Sequence, residues 1–443
     1  MTDHKSYTGQ LGDLQVVVLM GGLGTRLKEY TVTCPKSLVE VDGHPFFDYE
    51  LKLLKEAGFK KFLFLIGYKA DMIEEYYGDG KDQGISITYC YDGEELLGTG
   101  GAIKRALDLL EEDFLVTYGD SFMDIDYEET VYRYFAGKAS GKRALMTILK
   151  NNNSFDKSNV VAKDGQIILY DKKNTVPEME YIDYGVCVYE RSLFEEYDGD
   201  RRFDVAIIQN ELSKKGQLAA HEVTRRFYEI GSPKALSEFR EYVNKRFNTE
   251  NRAVFLDRDG VINEIVYNDD TEQLDSPQKK EDFRLLPGVS EALRIFKEKG
   301  YLIFIVTNQP GAAKGKSKLS VLYDINTSFV NSMKAEGIEI EGVYMCPHYP
   351  KMQPYTKEAF LIKDCDCRKP KPGLIMKAVK KYNIDTASSY MIGDSISDIL
   401  AGKAAGVKTV FIGDLKCDAC KKLCDKEPNL TASDILKAAQ AVE

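Results

Sequence analysis

The sequence predicts a two-unit α/β protein, with two Rossmann-like units each built from buried strands alternating with amphipathic helices. Three observations carry this reading. Apolar runs at 14–20, 62–67 and 114–118 are separated by stretches with helical spacing. A second alternation of the same kind begins at 253. Between the two, residues 247–252 turn polar, with Asn248, Thr249, Glu250 and Asn251 in a row.

A chain of 443 residues fits two domains, since a domain usually holds ~100–200 residues. The boundary is expected near 248, with a first domain of 1–247 and a second of 248–443. The formal charge of −10 disfavours a nucleic-acid partner, which calls for a basic face. Anionic small substrates need only a few well-placed cations. Residues 1–10 are polar and lack the apolar core of a signal peptide. No apolar run approaches the ~18 residues of a membrane span. A soluble, cytoplasmic protein with no membrane partner is expected, and its nine cysteines should be reduced, buried or metal-bound. Whether it forms homo-oligomers is left open.

Taken in order, 14–20 reads as a buried parallel strand, 48–57 as a helix, 62–67 as a strand, 102–110 as a helix and 114–118 as a strand ending at Gly119-Asp120. Strands are expected at 144–149, 166–170 and 184–189, and a polar-faced helix at 233–246. In the second half, strands at 253–256, 302–306, 389–392 and 409–412 alternate with helices at 289–299 and 374–382.

The first strand runs into Met20-Gly21-Gly22-Leu23-Gly24-Thr25-Arg26-Leu27. Glycines let backbone N–H groups approach phosphate oxygens, and Arg26 offers a planar fork for them. A glycine turn alone is as often merely a tight turn. Its company strengthens the phosphate reading. Pro35-Lys36-Ser37 supplies a second cation, and Gly98-Thr99-Gly100-Gly101 opens a helix in a way that suits a base or ribose edge. Asp120 ends a strand where a hard cation could bind.

This combination resembles the sugar-1-phosphate nucleotidyltransferases over roughly residues 14–245. The stretches around Gly98 and Asp120 are similar to the heptose 1-phosphate guanylyltransferase branch. The resemblance implies that Arg26 and Lys36 bind the triphosphate and that Asp120 holds magnesium. It places Asp171-Lys172 as a sugar-binding pair and Glu229 as a second metal ligand. Gly21, Gly22, Gly24, Thr25, Gly98, Thr99 and Gly100 would line the nucleotide. Both Asp171 and Glu229 differ in carboxylate length from the family pattern, and the segment Ile182-Asp183-Tyr184-Gly185 departs from the branch. Asp183 either contacts the sugar or is a polar residue at a strand end.

In the second half, the strand at 253–256 delivers Asp257-Arg258-Asp259-Gly260. Carboxylates at i and i+2 of an extended strand point the same way, so one could attack phosphorus while the other handles the leaving-group proton. The alternative is a plain acidic exit into a turn. Thr307-Asn308, Lys369 and Gly393-Asp394 follow at later strand ends or loops, with Asp398 one turn beyond. That order resembles the haloacid dehalogenase (HAD)-type phosphatases over roughly residues 252–415. The resemblance implies an aspartyl-phosphate on Asp257 and acid–base work by Asp259. Thr307 and Lys369 would hold the phosphoryl group, Asn308 would line the substrate beside Thr307, and Asp257, Asp394 and the Asp259 backbone carbonyl would hold magnesium.

Cys346-x-His348 and Cys365-x-Cys367 form a second signature. Three thiolates and one imidazole suit structural, tetrahedral zinc, with buried thiols as the alternative. With Arg368-Lys369-Pro370 the pattern resembles the heptose 1,7-bisphosphate 7-phosphatases and the histidinol-phosphate phosphatases, and the loop 309–315 is more similar to the former. Lys314 stands where an Arg is expected. Arg368 is either a substrate contact or a surface cation of the clip. Cys417, Cys420 and Cys424 read as buried reduced thiols rather than a metal site, and His4, His44 and His221 have no recognisable catalytic partner.

Together the resemblances imply one enzyme with two activities. It would remove a phosphate from a sugar bisphosphate, then couple the sugar 1-phosphate to a nucleoside triphosphate, GTP favoured. Alternatives are another sugar or polyol phosphate with CTP, UTP or ATP, and a phosphatase carrying a non-catalytic nucleotide-binding domain.

Overall fold

The computed structural model describes residues 9–93, 97–154, 156–197, 202–268, 272–413 and 427–443. His4, Cys417, Cys420 and Cys424 lie outside the described residues. The chain divides into two compact units, Met1–Tyr242 and Val243–Glu443.

In the first unit the nine strands of the main sheet are, in chain order, β1 (Gln15–Leu19), β2 (Lys61–Ile66), β3 (Ser86–Tyr91), β4 (Asp113–Tyr118), β5 (Ala144–Lys150), β6 (Val160–Lys163), β7 (Gln166–Tyr170), β8 (Tyr181–Glu190) and β9 (Leu218–Val223). They lie in the order β3-β2-β1-β4-β8-β5-β9-β7-β6. The first four are mutually parallel. Val16, Val17 and Val18 are fully buried, as strands covered on both faces must be. Beyond β4 the sheet turns mixed: β8 runs antiparallel to both β4 and β5, and β9 runs parallel to β5. The Rossmann-like pattern therefore holds for the first 118 residues, and the sheet is extended by strands that do not follow it.

Two elements differ from expectation for local reasons. The helix expected at 102–110 spans Gly98–Arg105 and is followed by a tight turn at Leu107–Leu109. It starts inside the glycine turn because the Phe203 carbonyl accepts the Gly100 and Gly101 N–H groups, satisfying two orphan donors of its first turn. The helix expected at 233–246 is α-helical over Pro233–Val243 and closes in a wider π turn over Asn244–Asn248.

The second unit centres on six parallel strands, β10 (Ala253–Leu256), β11 (Leu302–Asn308), β12 (Gly342–Cys346), β13 (Tyr390–Gly393), β14 (Lys408–Ile412) and β15 (Leu430–Ala432), ordered β12-β11-β10-β13-β14-β15. On one face the helix Val289–Glu298 packs Val289, Ala292, Leu293 and Phe296 into a core with Val254, Leu256 and Ile303. On the other, the helices Gly373–Tyr382 and Ile396–Ala405 cover Ala253, Phe255 and Phe304. No helix of the described residues is long and apolar enough to cross a membrane.

Candidate active sites and a candidate metal clip

Parallel register decides the first site. Leu19 pairs with both Leu65 and Tyr118, so the loop after β1 and the Gly119-Asp120 exit from β4 leave the sheet side by side. The Gly119 N–H donates to the Leu19 carbonyl at 3.0 Å. Ligands of such sheets gather at these strand ends. Asp120 receives Lys36 Nζ on Oδ2 at 2.5 Å, and Lys36 also lies 3.7 Å from Glu229 Oε1. Arg26 Nη2 reaches the same Glu229 oxygen at 3.3 Å while its side chain stays 74% exposed. Asp120 and Glu229, 109 positions apart by number, are brought together because Ser121–Phe122 pairs antiparallel with Tyr228–Glu229. The buried Glu50 carboxylate holds that turn by accepting the Met123 N–H at 2.7 Å and the Tyr127 hydroxyl.

The proposed sugar side is built differently from its sequence reading. Asp171 spends its carboxylate on a local turn, accepting the Lys173 and Asn174 N–H groups at 2.8 and 2.9 Å, and those bonds hold its pKa below the usual carboxylate value. Lys172 faces Asp204 at 3.6 Å. Asp204 also accepts from Thr99 Oγ1 at 3.1 Å, and Thr99 in turn accepts the Val205 N–H. Asp183 accepts the Gly185 N–H at 3.1 Å and the Tyr170 hydroxyl at 3.3 Å. Burial pushes its carboxyl pKa up, against the pull of Lys172. Asp204 carried no sequence signal, because its neighbours match no motif. Gly98, at φ +74°, and Gly100 have no room for a side chain beside Phe203. Gly22 has open space around it. Thr25 begins the short helical turn that carries Arg26.

His221 finds partners that the sequence did not reveal. It is buried, with Nδ1 3.0 Å from Thr130 Oγ1 and Nε2 3.2 Å from Glu129 Oε1. His44 stands edge-on to Tyr49.

In the second unit, β10 lies between β11 and β13, so its last residue meets the ends of both. The Asp257 N–H donates to the Ile392 carbonyl at 2.9 Å. Lys369 Nζ, fully enclosed, lies 2.8 Å from Asp257 Oδ1 and 2.6 Å from Asp398 Oδ1, and donates to the Val306 carbonyl at 2.8 Å. Asn308 fixes the lysine's backbone reciprocally. Its Nδ2 donates to the Lys369 carbonyl and its Oδ1 accepts the Lys369 N–H, both at 3.1 Å. Burial raises the Asp257 carboxyl pKa well above the carboxylate range, Asp398 adds to the rise and Lys369 opposes it. Asp257, Asp394 and Asp398 place carboxylate oxygens within 4.8 Å of one another. Three carboxylates against one buried ammonium leave negative charge that a divalent cation fits. Gly260, at φ +82°, keeps its side-chain direction clear for Asp394.

Asp259 has a separate set of partners. Oδ1 accepts from Arg258 Nη2 and Asn263 Nδ2, both at 3.0 Å, and Oδ2 accepts from Gln309 Nε2 at 2.5 Å. Gln309 also donates to the buried Thr307 hydroxyl at 2.9 Å. Arg258 is fully buried and anchored to Asn326.

The four residues of the Cys/His signature converge. Cys367 Sγ is 3.3 Å from Cys346 Sγ, 3.2 Å from Cys365 Sγ and 3.2 Å from His348 Nδ1. No pair is at the ~2.05 Å of a disulfide. The spacings approach the tetrahedron edge set by Zn–S bonds of ~2.3 Å. The hydrogen bond from Cys367, with a further one from His348, lowers the Cys346 pKa to about 4, so a thiolate is already favoured there. This cluster can hold a metal ion. Arg368, next in sequence, donates to the His348 carbonyl at 3.1 Å and lies over Tyr349, as does Lys314.

Residues 15–246 match the family model for nucleotidyl transferases, and residues 366–438 match a HAD-hydrolase-like model. A D-glycero-beta-D-manno-heptose-1,7-bisphosphate 7-phosphatase of Haemophilus ducreyi is 41% identical over 159 residues, covering 36% of this chain and 80% of its own. The corresponding alpha-heptose phosphatase of Photorhabdus laumondii is 40% identical over 161 residues, covering 36% of this chain and 81% of its own. Among solved structures, HddC from Yersinia pseudotuberculosis is 26% identical with a TM-score of 0.44, covering 52% of this chain and 99% of its own.

Proposed function

Because this chain belongs to the nucleotidyl transferase family through its first unit and to the HAD-type phosphatases through its second, we propose that it performs two consecutive steps of heptose activation. The second unit removes the 7-phosphate of a D-glycero-D-manno-heptose 1,7-bisphosphate. The first unit joins the resulting heptose 1-phosphate to a nucleoside monophosphate, drawn from GTP, with release of pyrophosphate. The observation that carries the sugar assignment is the 41% identity of the second unit to a 7-phosphatase of that bisphosphate.

The roles follow from the contacts. The Asp257 carboxylate attacks the 7-phosphorus, and the C7 oxygen leaves with a proton from Asp259. Asp259 then takes a proton from water, whose oxygen attacks the aspartyl-phosphate and regenerates Asp257 with release of orthophosphate. Thr307 and Lys369 hold the phosphoryl oxygens, and Arg258, Asn263 and Gln309 keep the Asp259 carboxylate aimed. Magnesium suits Asp257, Asp394 and Asp398, and when bound it offsets repulsion between an anionic nucleophile and an anionic ester.

In the first unit, Arg26 and Lys36 neutralise the triphosphate, so a sugar-phosphate oxygen can attack the α-phosphorus as pyrophosphate departs. Asp120 and Glu229 would hold a magnesium ion there, which would add positive charge beside the α-phosphate. Lys172, Asp183 and Asp204 orient the sugar hydroxyls. Cys346, His348, Cys365 and Cys367 would hold a zinc ion, whose part would be structural, since four protein ligands would leave no position for substrate. The work is expected to take place in the cytoplasm.

The test supplies the full chain with heptose 1,7-bisphosphate, magnesium and each of the four common nucleoside triphosphates, following orthophosphate and pyrophosphate separately. Both products, with GTP preferred, are expected. Orthophosphate without pyrophosphate would remove the transferase half of the proposal. Turnover of only a non-heptose phosphate would remove the sugar.

A further inference from the structure

The cations and the carboxylates of the first unit's site are paired with one another. Lys36 Nζ lies 2.5 Å from Asp120 Oδ2 and 3.7 Å from Glu229 Oε1, and Arg26 Nη2 lies 3.3 Å from the same Glu229 oxygen. Two positive groups meet two negative ones, so their formal charges cancel. The second unit is built differently. There Asp257 and Asp398 share the single ammonium of Lys369, and Asp394 brings a third carboxylate within 4.8 Å of both.

The pairing in the first unit is held in place from several sides. Lys36 is mostly enclosed, with its side chain 13% exposed, and it opens a short helical turn directly after Pro35. The pairing of Ser121–Phe122 with Tyr228–Glu229 sets the spacing of the two carboxylates. The Ser121 hydroxyl donates to the second Asp120 oxygen at 3.3 Å. Gly231 leaves room for the outer pair, since a side chain there would come within 3.0 Å of Glu229 Oε1 and 3.1 Å of Arg26 Nη2.

We infer that Lys36 and Arg26 form a charge-exchange latch, holding Asp120 and Glu229 until a nucleoside triphosphate draws them off, so that this site takes a divalent cation only together with its nucleotide. The inference rests on the nucleotidyl-transfer reading of this unit and adds an order of binding to it. A hard dication is held by the negative charge of its carboxylates. Here it would have to displace an ammonium at hydrogen-bond distance, or sit beside that ammonium and be repelled. A triphosphate presents several anionic oxygens at once to the ammonium and to the guanidinium fork. When Lys36 and Arg26 turn to those oxygens, Asp120 and Glu229 regain the charge that a cation needs. Metal and nucleotide then strengthen each other's binding by the same factor, because such coupling is reciprocal.

The experiment counts bound manganese, standing in for magnesium, from the loss of the free ion's paramagnetic resonance signal. It uses the full chain carrying Asp394→Asn, which removes one carboxylate of the second unit's cation site so that the first can be read. Without nucleotide this parent should hold manganese weakly, and Lys36→Met should tighten it about tenfold or more. A lysine that only supported the fold would give no such gain on removal. Lys36→Arg should stay at the parent value, and Asp120→Asn added to Lys36→Met should erase the gain. Arg26→Met, at a side chain 74% exposed, should tighten manganese by a smaller factor and serves where Lys36→Met does not fold. With a GTP analogue bridged by methylene between its α- and β-phosphates, the parent should take up manganese tightly. Tight manganese in the parent without the analogue overturns the inference, as does an affinity that neither Lys36→Met nor Arg26→Met changes. Both results leave the transferase reading standing as long as the analogue binds. Failure of the analogue to bind, with or without manganese, defeats that reading as well.

Discussion

Lys369 bridges Asp257 and Asp398 at 2.8 and 2.6 Å, so one buried ammonium holds both the carboxylate at the end of β10 and a carboxylate in the first turn of the helix Ile396–Ala405. Asp398 in turn caps that helix, accepting the Ser395 N–H at 3.1 Å. The lysine therefore ties two strand ends of the second unit together as well as facing the phosphoryl site.

Replacing it should affect both chemistry and fold. Lys369→Met leaves two buried carboxylates without their cation, and breaking a buried pair this way costs about 3–5 kcal/mol. Orthophosphate release should fall at least about a hundredfold, and the melting transition of the second unit should drop. Pyrophosphate release from heptose 1-phosphate and GTP should persist. A phosphatase rate within a few-fold of the parent would remove Lys369 from the site.

The first unit allows the converse experiment. Asp120→Asn removes the charge that Lys36 meets at 2.5 Å, and it should abolish pyrophosphate release while leaving orthophosphate release intact. Glu229→Gln should show itself as a higher magnesium requirement. Loss of both activities in a folded Asp120→Asn protein would contradict separate sites.

The metal clip should govern the phosphatase through the chain itself, because Cys367 lies two residues before Lys369. The protein as purified should contain zinc by elemental analysis. Stripping it with a strong chelator, or Cys365→Ser, should lower the thermal transition of the second unit and reduce orthophosphate release, with recovery on adding zinc to the stripped parent. An unchanged transition after complete removal would mean the cluster holds no structural metal.

Glu129 predicts a pH dependence of stability. Burial alone would raise its pKa, but His221 and Arg133 outweigh burial and hold it at about 2, below its ordinary 4.5. A folded-state pKa below the unfolded value contributes stability that is fully present above pH 4.5 and lost as pH falls towards 2. The shift corresponds to about 3 kcal/mol. Glu129→Gln should lower stability at neutral pH and flatten its dependence across that window in urea titrations. An identical pH profile would show that the pair contributes nothing.

The α/β alternation, the strand-end placement of Asp120, Asp257 and Asp394, and the two Cys/His pairs were all legible in the sequence. The reason is physical: buried parallel strands must be apolar throughout, and the residues that leave them are abruptly polar. Spacing of two residues within each Cys or His pair is likewise local. What sequence could not supply is the set of contacts made between distant strand ends. Asp120 and Glu229 share Lys36 only because two short strands pair, Asp204 reaches Lys172 and Thr99 across a fold of the chain, and Asp398 meets the loop residue Lys369 from the first turn of a helix. The sequence of β3 mixes Ser86, Thr88 and three tyrosine or cysteine residues and so carried no clear apolar run. Register and sheet order, set by the packing of whole faces, decided which carboxylates share a cation.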